Sequence, residues 1–466
     1  MNIKNEYLPN KHLLKTHLPK NSLLILLYTL VVLSAVFSMK SFATTHQTPT
    51  KNAAIKTIVV GASQFSAYLP LLKNKRVGLV VNQTSYVNGK HLVDALIEKD
   101  VNITTIFAPE HGFRGVLDAG ETFEDGIDKV TGISLVSLYG KSKKPSPQIM
   151  KTLDVVIFDI QDVGVRFYTF ISSMHYMMEA SAQANVDFIV LDRPNPQGMY
   201  VDGPVLTPKL TPQFISFVGM HNIPLLHGLT VGELALMIQG EDWLKTQEKL
   251  NLTVIPNLHY NHNTPYTLPI KPSPNLPNQL SVLLYPSLGF FEATPVSIGR
   301  GTPFPFQVIG HDKISLGTFE FTPVSMAGSA IAPKLMNKKL LGTRFDEHLV
   351  DSLTDRSKAN NKGVNLSYLI QWHKAFQDRG EVFFDRPDFM DKLSGSDTLR
   401  KSIQSGETEQ QIRQQWQPAL RKYLNQRKPY LLYDDVSYYF EAGDLESEHV
   451  EANHLETRDV KRIMRK

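Results

Sequence analysis

Four short apolar runs in the first half of the chain each end at a cluster of polar residues. The runs cover residues 77–81, 103–108, 155–158 and 188–191, and the clusters begin at Asn82, Pro109, Asp159 and Asp192. Apolar runs of strand length, separated by helix-like stretches, are typical of a parallel α/β sheet. Ligands bind such sheets at the carboxyl ends of the strands, so we expect the clusters to converge on one edge. Several carboxylates would then surround one cleft, which favours an enzyme site.

The composition is that of an ordinary globular protein. The chain has 466 residues, 42% of them hydrophobic and 20% charged, which is enough for two or three domains. The net charge of +4 is small, and no basic run with interleaved aromatic residues points to a nucleic acid partner. The chain contains no cysteine, which excludes disulfides, thiolate chemistry and cysteine-ligated metal sites.

Residues 1–43 predict a secretory signal. Lys11, Lys15 and Lys20 precede an uncharged run over residues 21–39, and Ser41-Phe42-Ala43 offers the small residues that a signal peptidase reads. We therefore expect cleavage near Ala43, a periplasmic or secreted product, and contact with the membrane only transiently through the signal. The long basic segment leaves an uncleaved membrane anchor as the alternative.

The rest of the chain divides into five predicted parts. A polar leader covers residues 44–55, and strands alternate with helices in an α/β domain over residues 56–259. A proline-dense connector covers 260–279, a second α/β domain covers 280–436, and a charged tail without an apolar face covers 437–466. Within these domains the pattern predicts a long helix over residues 168–185 and a short strand over residues 430–433.

Six separated motifs resemble those of one family. Pro109-Glu110-His111-Gly112 and Gly299-Arg300-Gly301-Thr302 are the most distinctive, and the full set covers residues 108–115, 159–168, 191–196, 272–276, 299–302 and 389–395. In these motifs the chain resembles the exo-β-N-acetylmuramidases of the NamZ type over about residues 57–434. One departure is Glu292-Ala293-Thr294-Pro295, where the family tends to show Glu-Gly-Thr-Asn.

The resemblance implies a fold and an activity. It implies a Rossmann-like parallel-sheet N-terminal domain and a smaller C-terminal α/β domain, with the active site in the cleft between them. It also implies release of N-acetylmuramic acid (MurNAc) from the non-reducing ends of peptidoglycan-derived MurNAc–GlcNAc saccharides, in cell-wall turnover. We expect no cofactor and no metal, because the sequence lacks a dinucleotide fingerprint, a P-loop and histidines at metal-ligand spacing. A non-catalytic muropeptide-binding protein is the alternative, and a secreted esterase or amidase is disfavoured because no serine elbow is present.

Glu110 is the predicted general acid. Glycosidic cleavage needs a protonated carboxylic acid at the leaving oxygen and a second group as base or nucleophile. Glu110 follows an apolar strand, where partial burial could raise its pKa. Asp159 is the expected partner and His111 a further catalytic candidate, although Glu110 or His111 could simply cap a loop. The residues leave open which carboxylate completes the pair, or whether the substrate's own acetamido group does.

Arginines are expected to select the lactyl carboxylate of muramic acid, because a guanidinium pairs with a carboxylate through two hydrogen bonds. Arg300 is the first candidate and Arg166 the second, while Arg193 could instead form a structural pair with Asp192. Asp162 could simply cap the helix that follows it, and Tyr168 could stack on sugar. The predicted substrate-binding residues are Asn82, Gln161, Asp162, Arg166, Tyr168, Asp192, Arg193, Asn195, Glu292 and Arg300.

Overall fold

The structure is a computed structural model that describes residues 57–110, 112–113, 125–140, 143–207, 211–355 and 363–434. The predicted signal, the leader, His111 and the predicted tail at 437–466 lie outside these residues. Within the described ranges, no helix is both long enough and apolar enough to span a bilayer.

The strands form two main sheets. In chain order they are β1 Val77–Val81, β2 Tyr86–Val87, β3 Lys90–His91, β4 Ile103–Ala108, β5 Gly126–Ile127, β6 Ser134–Ser137, β7 Val155–Asp159, β8 Asp187–Leu191, β9 Leu252–Ile255, β10 Val308–His311, β11 Phe319–Phe321 and β12 Leu340–Arg344. Seven strands build one sheet in the order β5-β6-β4-β1-β7-β8-β9, parallel except for β5. The order β10-β12-β11 gives a smaller antiparallel sheet in the C-terminal region.

Helices cover the large sheet and make up most of the C-terminal region. They are α1 Phe65–Leu72, α2 Leu92–Ile97, α3 Pro147–Met150, α4 Phe170–Ala184, α5 Val231–Gly240, α6 Gln279–Leu288, α7 Leu349–Thr354, α8 Ser367–Gln377, α9 Pro387–Ser394, α10 Thr398–Gln404 and α11 Glu409–Arg427. A 3₁₀ turn at Gly289–Ala293 extends α6 toward the Gly299-Arg300 segment.

Burial on both faces explains why β1 is apolar throughout and β7 is apolar up to its last residue, Asp159. Every residue of β1 and β7 is buried. Val80 and Phe158 point into a core that continues to the C-terminal helices, whereas Leu79 and Ile157 point to the opposite face, where α1 and α2 pack. The alternation follows from the two-residue repeat of a strand. The predicted fold class is confirmed, while the exact domain limits stay predictions.

Two local predictions are wrong. The long helix starts at Phe170 instead of residue 168, with Thr169 at its N-cap position, so Asp162 does not cap it. Residues 430–433 are not a strand, because a 3₁₀ turn at Lys428–Tyr430 is followed by irregular chain. There the amide of Leu432 donates to a side chain, Glu233 Oε1, at 2.8 Å.

Candidate active site

The polar clusters after β1, β4, β7 and β8 lie at one edge of the sheet, as predicted. These four strands are parallel neighbours in the order β4-β1-β7-β8, so their carboxyl ends lie side by side. Hydrogen bonds link the clusters directly: the amide of Gln161 donates to Thr84 Oγ1 at 3.0 Å. Gln161 Nε2 also donates to the carbonyl of Pro194 at 2.7 Å. The loop after β7 therefore ties both neighbouring loops together.

Glu110 follows β4 and is half-buried. The hydroxyl of Thr169, the N-cap residue of α4, donates to Glu110 Oε2 at 3.1 Å. Tyr139 is hydrogen-bonded to Glu110 as well, and burial together with the Glu110 charge raises the pKa of the Tyr139 hydroxyl. Two hydroxyl groups thus orient a carboxyl group that keeps access to the cleft. Such a group can deliver a proton to a bound ligand.

Tyr285 on α6 lies close enough to several charged residues of the site for each of them to change the pKa of its hydroxyl. Burial raises the pKa of its hydroxyl, Arg300 lowers it, and the carboxylates of Glu292, Glu110 and Asp162 raise it further. These charges come from both regions of the chain, so the site draws on the large sheet and on the C-terminal region. The sequence offers no signal for Tyr285, since one tyrosine in an apolar helix most often belongs to the core.

Arg300 and Glu292 form a partly exposed ion pair beside Tyr285. Arg300 Nε and Nη2 lie 2.8 and 2.6 Å from the same oxygen, Glu292 Oε1. Burial raises the pKa of Glu292, but the charges of Arg300 and Lys334 outweigh it and lower the pKa overall. Both side chains keep about a quarter of their surface exposed, at 26% and 23%. Arg300 Nη1 donates to none of the described residues, which leaves one edge of the guanidinium for a ligand.

Asp159 and Arg193 form a second, fully internal pair. Arg193 Nε and Nη2 donate to the two oxygens of Asp159 at 2.6 and 2.9 Å. Asp159 is 0% exposed and Arg193 3% exposed. Arg193 therefore pairs with Asp159 across two strand ends, and not with the adjacent Asp192. The geometry favours a structural ion pair, and the catalytic role expected for Asp159 stays a prediction that it does not support.

Asp192 is internal too, and it caps α5. It accepts the amide of Gly232 at 2.7 Å and the hydroxyl of Thr230 at 2.8 Å. Burial raises the pKa of Asp192 to about 7, although a hydrogen bond from Tyr433 lowers it, and the charge of Glu233 adds to the rise. This carboxylate joins the sheet edge to α5 and to the end of the described chain.

Asn82, Asn195 and Gln161 shape the turns at the sheet edge. Asn82 Oδ1 accepts the amide and hydroxyl of Thr84 at 2.9 and 2.6 Å. Asn195 Nδ2 donates to the carbonyl of Leu229 at 2.9 Å, and Gln161 Nε2 donates to the carbonyl of Pro194. The structure thus places all three in hydrogen bonds within the protein. Asn82 Nδ2 is buried and has no partner in the described part of the chain.

Arg166 and Tyr168 are directed into the protein interior. The Arg166 guanidinium is fully buried and donates to the carbonyls of Pro204, Ile223 and Leu393 at 2.6, 2.9 and 3.0 Å. Burial lowers its pKa to about 9. The Tyr168 hydroxyl donates to the carbonyl of Pro272 at 2.7 Å. Arg166 thus joins three distant segments, which makes Arg300 the better placed of the two arginines for a ligand.

The two oxygens of Asp162 differ in their hydrogen bonding. Oδ2 accepts the amide of Gly164 at 2.7 Å and lies 3.6 Å from Nε2 of His227. Oδ1 is buried and has no hydrogen-bond partner among the residues described. His227 belongs to no recognisable sequence motif, so sequence reasoning missed it. No group of three or more histidine, aspartate or glutamate side chains in the described ranges is placed to hold a metal ion.

Comparisons with known proteins agree on one family. Residues 77–280 match the family model "Exo-beta-N-acetylmuramidase NamZ, N-terminal", and residues 283–433 match the corresponding C-terminal model. The chain is 38% identical over 381 residues to the peptidoglycan beta-N-acetylmuramidase NamZ of Bacillus subtilis strain 168, covering 78% of this chain and 89% of that protein.

Two solved structures from Bacteroides fragilis NCTC 9343, both titled as DUF1343 family proteins, share the fold. One has a TM-score of 0.72 and 44% identity and covers 82% of this chain and 100% of its own. The other has a TM-score of 0.68 and 30% identity and covers 81% and 99%.

Proposed function

Because the chain belongs to the NamZ family of exo-β-N-acetylmuramidases, and is therefore a glycosidase, we propose that it releases MurNAc from the non-reducing ends of MurNAc–GlcNAc saccharides. The observation that carries this proposal is the half-buried Glu110, oriented by two hydroxyl groups at the edge where the strand ends meet. Tyr285 and the neighbouring Arg300–Glu292 ion pair supply surroundings in which a negatively charged sugar can bind.

Glu110 acts as the general acid in this proposal. Its protonated carboxyl group donates to the glycosidic oxygen as the bond from that oxygen to the sugar's C1 atom breaks, and the resulting carboxylate accepts a proton from the incoming water. Thr169 and Tyr139 orient the carboxyl group through their hydroxyl groups.

A pair of substrates tests this role. The full mature chain is incubated with the MurNAc–GlcNAc disaccharide, and free MurNAc is followed by chromatography. Glu110→Gln should lower the rate about 10²–10⁴-fold, because the amide cannot deliver a proton. The same variant should lose far less on a nitrophenyl muramide, whose leaving group departs without protonation.

A surface variant provides the control. Glu320 lies on β11 and pairs with Lys339, with 54% of its side chain exposed, so Glu320→Gln should match the unmodified chain on both substrates. If Glu110→Gln retains normal turnover of the disaccharide, Glu110 is not the acid. If the unmodified chain binds the disaccharide without releasing MurNAc, it is a muropeptide-binding protein instead.

Export and a role in cell-wall turnover complete the proposal. The basic segment, the uncharged run over residues 21–39 and Ser41-Phe42-Ala43 support cleavage near Ala43 and delivery to the periplasm or medium, where peptidoglycan lies. Released MurNAc would then be available for recycling. Sequencing the amino terminus of the exported protein tests the first step, and membrane-bound protein that retains residues 1–43 would favour the anchor.

A further inference from the structure

Asp162 has a buried carboxylate oxygen that the described part of the fold leaves without a hydrogen bond. Asp162 is 4% exposed, and its Oδ1 atom is buried without a hydrogen bond from any described residue. Buried carboxylate oxygens are normally satisfied, so an unsatisfied one calls for an explanation such as a missing ligand. The helix-capping role expected from the sequence does not explain this oxygen, because Thr169 occupies the N-cap position of α4.

The other oxygen is fixed, so the direction of Oδ1 is fixed as well. The amide of Gly164 donates to Oδ2 at 2.7 Å. Gly164 has φ +77°, and a Cβ there would lie 2.2 Å from Asn195 Oδ1, so the turn allows little adjustment. His227 Nδ1 accepts the amide of Leu229 at 3.2 Å, which places the proton of a neutral ring on Nε2, facing Oδ2 at 3.6 Å.

Asp162 and Glu110 act on the same two tyrosines. The charges of both residues raise the pKa of the Tyr168 and Tyr285 hydroxyls, after burial, which is the main cause. The rings of these tyrosines are 6.0 Å apart and nearly perpendicular. Tyr168 immediately precedes Thr169, whose hydroxyl holds Glu110. Both carboxyl groups therefore lie near the same pair of tyrosines, at the edge where β4 and β7 end.

We propose that Asp162 is the second catalytic carboxylate, and that its Oδ1 atom accepts the N–H of the 2-acetamido group of the sugar that is released. This inference rests on the proposed function. With Glu110 at the oxygen on C1, the substituent closest to the reacting bond is the one on C2. The acetamido N–H is a donor at that place, whereas the lactyl carboxylate and the ring oxygen can only accept.

The chemistry proceeds in two balanced steps. In the first step the acetamido carbonyl oxygen bonds to C1, and the bond from C1 to the leaving glycosidic oxygen breaks. The leaving oxygen takes the proton of Glu110. Asp162 stabilises the positive charge that develops at the acetamido nitrogen. Water then bonds to C1 and gives its proton to Glu110, while the bond between C1 and the acetamido oxygen breaks and restores the acetamido group.

The first test uses the unmodified protein and a series of nitrophenyl muramides whose acetamido group carries zero to three fluorine atoms. Fluorine withdraws electrons from the attacking carbonyl oxygen, so kcat/KM should fall steeply with each fluorine added. A flat series would overturn the inference, because a water molecule activated by a carboxylate does not depend on that oxygen. Because this test uses only the unmodified protein, its result does not depend on whether a variant folds.

The second test is Asp162→Asn with the nitrophenyl muramide. The asparagine oxygen can still accept the Gly164 amide, but its NH₂ group replaces the Oδ1 acceptor. We expect a loss of about 10²–10³-fold in kcat/KM. Glu110→Gln should lose far more on the disaccharide than on this substrate, whereas Asp162→Asn should lose activity on both, so the two variants separate the roles. Asp162→Asn with normal turnover refutes the inference and leaves the proposed function intact.

Asp128→Asn is the matched control for that variant. Asp128 is also buried, at 8% exposure, and also accepts hydrogen bonds in a turn, from the amide and hydroxyl of Thr131 at 3.1 and 2.8 Å. It lies between β5 and β6, at the amino ends of the parallel strands and thus at the opposite edge of the sheet. Asp128→Asn should keep full activity, while its melting temperature should shift by about as much as that of Asp162→Asn.

Discussion

Arg300→Lys tests how the cleft distinguishes a muramic acid from a glucosamine. The two sugars differ by a lactyl carboxylate, and the open edge of Arg300 is the group best placed to recognise it. Lysine keeps the positive charge and can still pair with Glu292. It cannot bind two carboxylates through separate edges, because its ammonium group lacks the planar fork of a guanidinium.

The magnitude follows from the single hydrogen bond that the variant cannot form. Arg300 directs Nε and Nη2 to one oxygen of Glu292, so the Nη1 edge represents about one charge-assisted hydrogen bond to the ligand. Such a bond contributes about 1.5–3 kcal/mol. Removing it should lower kcat/KM on a nitrophenyl N-acetylmuramide about ten- to a hundredfold. The matching N-acetylglucosaminide has no carboxylate, and its rate should change little.

The assay compares the two nitrophenyl glycosides side by side for each variant. Arg300→Ala is less informative, because it leaves Glu292 partly buried without its partner and should impair both substrates. Arg344→Lys serves as the control, because both guanidinium groups lie over an aromatic ring. Arg300 is 5.1 Å from the centroid of Phe306, and Arg344 is 4.0 Å from the centroid of Phe304, outside the candidate site. Equal losses on both glycosides for Arg300→Lys would refute the reasoning.

Two further predictions concern stability. Asp192 holds its proton up to about pH 7 in the folded state and releases it near pH 4 when unfolded, so the free energy of unfolding should fall by up to roughly 1.4 kcal/mol per pH unit as the pH rises between those values. Asp192→Asn should flatten that slope in urea titrations at several pH values, and an unchanged slope would show that Asp192 does not cause it. Gly164→Ala should lower the free energy of unfolding by more than the about 1–3 kcal/mol of backbone strain alone, because the added Cβ at φ +77° also clashes with Asn195. Gly89→Ala, at φ +85° with nothing within 4 Å, isolates the strain, and equal costs would show that the clash is unimportant.

The sheet could be predicted because burial on both faces leaves a direct mark on the sequence. β1 is apolar throughout and β7 is apolar up to its last residue, Asp159, so the first polar residue of each cluster marks the sheet edge. The long helix was placed correctly but begins two residues later than predicted. Residues 430–433 look like a strand because they are aromatic and aliphatic, yet the side chain of Glu233 takes up the Leu432 amide that a strand would pair. Such partners are 199 residues apart in the sequence, and no local pattern reveals them.

The candidate site was only partly predictable, because the same residue types build the sheet edge and carry chemistry. Asp159, Asp192, Asp162 and Glu110 all follow strands, but each has a different set of partners. Arg193 occupies both oxygens of Asp159, and the start of α5 occupies Asp192. Asp162 has one oxygen left over, and Glu110 stays half-exposed between hydroxyl groups. The hydrogen-bond partners of each oxygen separate chemistry from structure here, and those partners come from tertiary contacts that strand periodicity cannot encode. A carboxylate at a strand end is therefore a reason to examine its two oxygens one by one, and the oxygen without a partner is where a substrate can bind.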